Sequence, residues 1–397
     1  MNIPLLENAD IKDKRVLLRL DFDYLFDKNY KGGKPPNFKV VTTTIEYLLK
    51  AKARVIIAPS FKVSKKSKKT EEYSTEPYAR YICDLYRCNV YMTDQVVGSL
   101  PEKLSHDMEP GSILFLENLF GEEGELKADN EFADQLSKLG DIYVNEAFSL
   151  SGDKLASNTA ILEYYETADI FPGFNFAAEF HNAFKINSAD NPFALCLNNN
   201  NDIPGMLAAA ESLIDRVDRI FLFGKISNIY AVIVNNISNH NYPKNHVDKL
   251  KKILKSAEVR GIEIFHVLDY YQMEEKSVPG LVRNEIINNT EGYIDIGDET
   301  GKIFSDALSG YDLVFWLGKF PADKEYDLAF GSAKIKETVK NNGLYVVGAG
   351  TENCLTEGQN QLEDGFFKFQ SCSYNTFVNS VTGDMLPVFE ILEAKFR

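Results

Sequence analysis

Residues 113–148, ILFLENLFGEEGELKADNEFADQLSKLGDIYVNEAF, decide the fold. Two short apolar runs, SILFLENL and DIYVNEAF, flank the amphipathic stretch NEFADQLSKLG, so the segment reads strand, helix, strand. Apolar strands of about four to eight residues separated by amphipathic helices mark a parallel sheet covered on both faces. The alternation extends back through RVLLRLDF, VVTTTIEYLLKAK, ARVIIAPS, TEPYARYICDLYRC and NVYMT, which predicts a doubly wound α/β domain. After a helical stretch at 173–187, GFNFAAEFHNAFKIN, and a turn-rich SADNP, the pattern restarts. FALCLN, GMLAAAESLIDRV, DRIFLFG, VDKLKKILKSAEVRG, IEIFHVLD, YDLVFWLG, AKIKETVKNN and LYVVGAG predict a second α/β domain beginning near Asn191. Glycine-containing turns are expected at Gly224, Gly318 and Gly348, at the carboxyl ends of strands, where open α/β sheets bind ligands.

A chain of 397 residues exceeds what one core usually serves, in line with two domains. Its composition, 44% hydrophobic and 25% charged, is that of a soluble globular protein. The net charge of −15 opposes binding to nucleic acid or to anionic membranes. An acidic protein can still handle small phosphorylated anions, provided that it concentrates arginine, lysine and histidine in one place. The start, MNIPLLENADIKDKRV, does not read as a secretory leader, and no run of 18 apolar residues occurs, so a cytoplasmic location is expected. Cys83, Cys88, Cys196, Cys354 and Cys372 lack zinc-ligand spacing and read as reduced core thiols. The five histidines (His106, His181, His240, His246, His266) show no metal-binding pair, and the lysine-rich KVSKKSKK at 62–69 reads as a solvated loop.

KRVLLRLDFDYLFD resembles the opening of the phosphoglycerate kinase family, KRVLVRVDFNVP. Later segments follow in family order: ARVIIAPSF, PGSILFLENL, EFADQLSKLGDIYVNEAF, PGFNFAAEF, NPFALCL, GIEIFHVLD, GYIDIGDETGKIF, DLVFWLG, YVVGAG and TGDMLP. LENL with GDIYVNEAF is the most specific pair, matching the family's LENLRF and DVYVNDAF. The resemblance implies two doubly wound, Rossmann-like parallel-sheet domains joined by a helix: an acid-substrate domain at 1–172, the helix at 173–190, a nucleotide domain at 191–378, and a segment at 379–397 that returns to the first domain. It also implies phosphoryl transfer between ATP and a carboxylate, with magnesium.

The ligand positions implied by the resemblance are largely changed. The family's Asp-Phe-Asn reads Asp21-Phe22-Asp23, keeping one carboxylate and adding another. The arginine thought to stabilise the transferring phosphoryl group aligns with Asn37, with Lys39 nearby. In the Ser-His-Leu-Gly-Arg-Pro loop the histidine becomes Phe61 and the arginine Ser64; the arginine of LENLRF gives way at Phe120. The substrate arginine after NEAF becomes Asp153, flanked by Gly152 and Leu155 instead of histidines. Reversing a unit charge about 4 Å from a phosphate changes the pair energy by up to roughly 8 kcal/mol at an effective dielectric of about 20.

On the nucleotide side, Gly-Gly-Ala-Lys-Val reads Asn198-Asn199-Asn200-Asn201-Asp202, and the second family lysine falls near Pro204 or Gly205. Gly224, Gly318, Gly348 and Gly350 persist as nucleotide-binding candidates. Thr351 and Glu352 stand where the family has its metal-associated aspartate. Trp316 persists as core, whereas the ribose-binding glutamate is absent unless Glu325 replaces it. The glycine trio of the transfer surface becomes Ser373, Tyr374 and Asn375.

The expectation that follows is a phosphoglycerate kinase-like pseudoenzyme, a cytoplasmic monomer with a regulatory or scaffolding role and an unidentified protein partner. It expects no intact catalytic residue, no metal and no cofactor, Mg-ATP or Mg-ADP entering only if residual family activity persists. Three alternatives stand beside it: a phosphotransferase of altered specificity using Lys39, Lys62, Lys65, Lys225 and Lys319, residual ATP:3-phosphoglycerate phosphotransfer, and a nucleotide-binding module without turnover.

Overall fold

The structure, a computed structural model, describes residues 3–25, 39–63, 74–198, 202–274, 278–283, 293–318, 320, 330–350, 365–371, 373–383 and 385–397. The chain divides into two compact units, Met1–His181 with Asp384–Arg397, and Asn182–Gly383.

The first unit is built on a six-stranded parallel sheet of order β3-β4-β2-β1-β5-β6. Its strands are β1 (Arg15–Asp21), β2 (Arg54–Ser60), β3 (Val90–Met92), β4 (Ile113–Phe115), β5 (Ile142–Asn145) and β6 (Ile170–Pro172). Strands β1 and β2 bury every residue after the first, as continuous apolar runs require when helices cover both faces. The connecting helices are α1 (Phe22–Leu25), α2 (Lys39–Lys50), α3 (Glu76–Tyr86), α4 (Ser99–Asp107), α5 (Glu123–Leu126) and α6 (Asn130–Ser137). Val41, Ile45 and Leu48 recur on one face of α2 and enter the core with Val16, Leu18 and Val55. Asp129 starts α6 by accepting the amide of Phe132 at 2.8 Å.

Helix α7 (Phe174–Asn187) carries the chain out of the first unit. Its first turn is held by the buried Glu146, one residue past β5. Glu146 Oε1 accepts the amide of Asn175 at 3.2 Å and the Thr44 hydroxyl, and Oε2 accepts the amide of Phe176 at 2.8 Å.

The second unit repeats the plan with sheet order β15-β14-β13-β7-β8-β9. The strands are β7 (Phe193–Leu197), β8 (Val217–Leu222), β9 (Glu263–His266), β13 (Leu313–Leu317), β14 (Tyr345–Ala349) and β15 (Phe369–Ser371). Between β9 and β13 the chain adds β10 (Asp269–Glu274), β11 (Val278–Arg283) and β12 (Tyr293–Ile296), a small antiparallel sheet that the alternating pattern did not announce. Its helices are α8 (Ile203–Ser212), α9 (Gly224–Val234), α10 (Lys244–Arg260), α11 (Asp298–Leu308), α12 (Gly331–Asn342) and α13 (Tyr374–Thr382). Asp269 and Asp295, both buried, start the two helices after this sheet: Asp269 accepts the Thr300 amide at 2.8 Å, and Asp295 the Ser332 amide at 3.2 Å. The last helix, α14 (Pro387–Lys395), belongs to the first unit, where Phe389 packs against Phe148, Phe176 and Phe180.

Gly348 departs from its expected turn. It lies inside β14, and an added Cβ would meet the Phe367 ring at 2.7 Å, so close packing requires glycine there. Gly318 does stand in a turn after β13, at φ +97°, where a Cβ would come 1.7 Å from the Asn198 carbonyl oxygen.

Candidate functional site

Both candidate faces lie at the carboxyl ends of the parallel strands, one on each unit. On the first unit, Asp21 ends β1 beside Ser60 at the end of β2. Asp21 is 6% exposed; it accepts the Ser149 hydroxyl at 2.5 Å and the Asp23 amide at 3.0 Å. Burial raises its pKa to about 6, with the neighbouring Asp23 adding to the rise and the Ser149 hydrogen bond opposing it. Asp23 in turn accepts the Lys62 amide at 3.0 Å. This face therefore gathers two carboxylates and a hydroxyl, where the resemblance calls for a surface that attracts an anion.

Among the described residues, the substitutions for family cations do not regroup into a new basic cluster. Phe61 turns into the core, 5.3 Å from the Tyr78 ring, with its backbone clamped by Asn118 through bonds of 3.0 and 2.9 Å. Phe120 packs against Ala147, Leu150 and Leu155. Asp153 is exposed and beside an open Gly152, so solvent screening reduces the effect of that charge reversal to about 2 kcal/mol at the dielectric of water. Lys62 is exposed, while Asn37, Ser64, Lys65 and the Lys39 side chain lie outside the described residues.

One arginine does lie under this face, and the motif-based reading passed over it. Arg19, within β1, is fully buried. Its guanidinium donates to Ser157 Oγ at 2.6 Å, to Ser60 Oγ at 2.8 Å and to the Leu20 carbonyl at 2.5 Å, and it lies 3.5 Å from the Glu125 carboxylate. Glu125 also accepts the amide and hydroxyl of Ser157. This buried positive charge is thus neutralised within the chain, as a buried ion requires. An arginine between Leu18 and Leu20 in an apolar strand signals a buried charge, but nothing local points to Glu125 as its partner.

On the second unit, β7, β13 and β14 end together: the Asn198 amide donates to the Leu317 carbonyl and the Gly318 amide to the Ala349 carbonyl, each at 2.8 Å. Helix α8 follows β7, and its first free amides would ordinarily suit a phosphate. Here Asp202 Oδ1 accepts the Gly205 amide at 2.9 Å, and Pro204 has no amide hydrogen to offer. A side chain at Gly205 would bring its Cβ 2.0 Å from Asp202 Oδ2, so the carboxylate sits directly over that position.

Gly224 opens α9 at φ +50°, with Lys225 exposed behind it. Gly350 follows β14 directly. Trp316 is fully buried in an aromatic cluster with Phe320, Phe366 and Phe367, Phe320 lying 4.6 Å from Phe366. Ser373 precedes α13 and donates its amide to Ser371 Oγ at 3.1 Å; Tyr374 is half-buried and Asn375 exposed. Asn201, Lys319, Glu325, Thr351 and Glu352 lie outside the described residues.

Among the described residues no group of three or more His, Cys, Asp or Glu side chains could hold a metal ion. None of the described helices is long and apolar enough to cross a membrane.

The family model described as Phosphoglycerate kinase matches residues 6–383. Phosphoglycerate kinase of a Nitratiruptor species is 26% identical over 403 residues, covering 99% of each chain. That of Nautilia profundicola is 27% identical over 390 residues, covering 96% of each. Among solved structures, phosphoglycerate kinase from Coxiella burnetii superposes with a TM-score of 0.80 at 19% identity over 100% of both chains. The enzyme from Pyrococcus horikoshii gives 0.74 at 19% identity over 99% of both.

Proposed function

Because the chain belongs to the phosphoglycerate kinase family, we propose that it keeps the family scaffold, has lost ATP:3-phosphoglycerate phosphotransfer, and acts as a regulatory or scaffolding protein through contacts with another protein. The observation that carries this reading is Asp202. At the start of α8 a carboxylate of the chain itself takes the amide of Gly205, near which the resemblance places a phosphate-binding lysine.

A nucleotide phosphate brought there meets a like charge and finds no amide on Pro204. The described residues of this face therefore do not suit a nucleoside triphosphate. The first unit supports the same reading. Asp21 and Asp23 stand together, Arg19 is fully engaged by Glu125 and two serines, and Asp153 replaces the substrate arginine. Loss of an arginine that stabilises a transferring phosphoryl group costs about 10³–10⁵ in rate. In this reading the protein is a cytoplasmic monomer that needs neither magnesium nor nucleotide.

A coupled assay of 1,3-bisphosphoglycerate and Mg-ADP turnover tests the proposal. No rate above the uncatalysed background is expected; turnover at a rate ordinary for kinases, about 1–100 s⁻¹, would overturn it.

A further inference from the structure

The C-x4-C spacing of Cys83 and Cys88 falls on the end of α3. That helix stops because Arg87 takes the left-handed conformation, φ 50° and ψ 40°, and its amide donates to the Cys83 carbonyl at 2.9 Å. In this type of helix ending, the residue after the left-handed one folds back over the residue five positions before it. Those two positions are Cys88 and Cys83. The Cys83 thiol accordingly lies 3.7 Å from the Cys88 carbonyl oxygen, and each sulfur is free and half-buried. Cys88 also packs against the apolar core, which limits its freedom to turn away.

We propose that Cys83 and Cys88 are a modification site: a dithiol that closes to a reversible intramolecular disulfide when a small-molecule disulfide such as oxidised glutathione is present. One cysteine thiolate attacks a glutathione sulfur, forming a mixed disulfide and expelling one glutathione thiolate. The second cysteine thiolate then attacks the protein sulfur of that adduct, forming the Cys83–Cys88 bond and expelling the second glutathione. The two protons leave with the two reduced glutathiones. The protein loses two electrons, and the small disulfide gains them.

The bond would tie the last turn of α3 to the entry of β3, the edge strand of the first sheet. Burial pushes the Cys88 thiol up, with Cys83 contributing, so the thiolate is scarce near neutral pH and closure is slow there. Cys196 is fully buried, and its thiol is held well above its usual range, which leaves it inert under the same treatment.

Tryptic cleavage provides the test, because Arg80, Arg87 and Lys103 place the two cysteines on separate peptides, 81–87 and 88–103. The full chain is equilibrated with excess oxidised glutathione, its remaining thiols are blocked with an alkylating agent, and the non-reduced digest is weighed. The expected species is peptide 81–87 joined to peptide 88–103 in a monomeric protein, formed several-fold faster at pH 8 than at pH 7 and released by reductant. Cys83→Ser should leave Cys88 alkylated or carrying one glutathione. Recovery of both wild-type cysteines as alkylated thiols, as separate glutathione adducts, or as links between two protein molecules would overturn the proposal.

Discussion

Replacing Glu146 by glutamine is expected to raise the stability of the first unit relative to the wild type as pH rises from 5 to 8. The wild-type carboxyl is 4% exposed, and burial raises its pKa from 4.5 to about 7. The Thr44 hydroxyl and the Phe176 and Asn175 amides pull the value down and do not prevail. Since the folded value lies above the unfolded one, the native state holds the extra proton between these two values. Stability from this group is therefore full below about pH 4.5 and is lost as pH rises to about 7. Integrated from pH 5 to pH 8, that displacement amounts to roughly 2–3 kcal/mol. Glutamine keeps the shape and one acceptor oxygen, so one backbone amide at the start of α7 loses its acceptor at every pH; it has no charge to desolvate, so Glu146→Gln should still gain on the wild type by that amount across the interval. Asp21, whose pKa is raised to about 6, acts in the same direction in both proteins and cancels in the comparison. The assay is urea unfolding at pH 5, 6, 7 and 8, with the first unit followed by pulsed hydrogen exchange of β1 and β5. Fluorescence of the chain's single tryptophan, Trp316, reports only the second unit. Parallel stability curves for the two proteins would refute the reasoning.

The other perturbations test separate parts of the account. Asp202→Ala removes the cap of α8 and should cost about 1 kcal/mol in the second unit, read as a lower urea midpoint in Trp316 fluorescence; an unchanged midpoint would mean that the carboxylate does not hold the helix start. Arg19→Met strands the Glu125 charge in the core and should destabilise the first unit by roughly 3–5 kcal/mol, whereas pairing it with Glu125→Leu should recover most of the loss, as exchange protection of β1 would show. Gly348→Ala should cost about 1–3 kcal/mol because its Cβ meets the Phe367 ring, and a neutral thermal melt would contradict that.

Strands and helices were largely legible because both sheets are covered on two faces: RVLLRLDF and DRIFLFG are apolar runs that leave little but a buried parallel strand. GFNFAAEFHNAFKIN likewise forms α7. Local pattern could not show the pairings that join distant parts of the chain. Arg19 with Glu125, Asp21 with Ser149, and Glu146 with Thr44 are each separated by about a hundred residues or more, and each depends on the completed sheet. The fate of Phe61 was hidden for a related reason. Its place in the motif suggested the ligand face, but its ring is stabilised by packing on Tyr78. Gly348 misled in the opposite way, since a glycine after an apolar run reads as a turn, although Phe367 makes it a packing requirement within the strand. Asp202 was visible as a carboxylate ending the run that stands for the family's glycine loop, but its grip on the Gly205 amide emerged only with the geometry of α8.

The most direct test of lost phosphoryl transfer is calorimetric titration of the full chain with Mg-ADP and with 3-phosphoglycerate, at low and at physiological salt. No resolvable heat of binding is expected for either ligand, because Asp202 holds the start of α8 and the first unit presents Asp21 and Asp23 without a free basic cluster among the described residues. Saturable binding of both ligands at dissociation constants in the micromolar range, about −8 kcal/mol, would contradict the account.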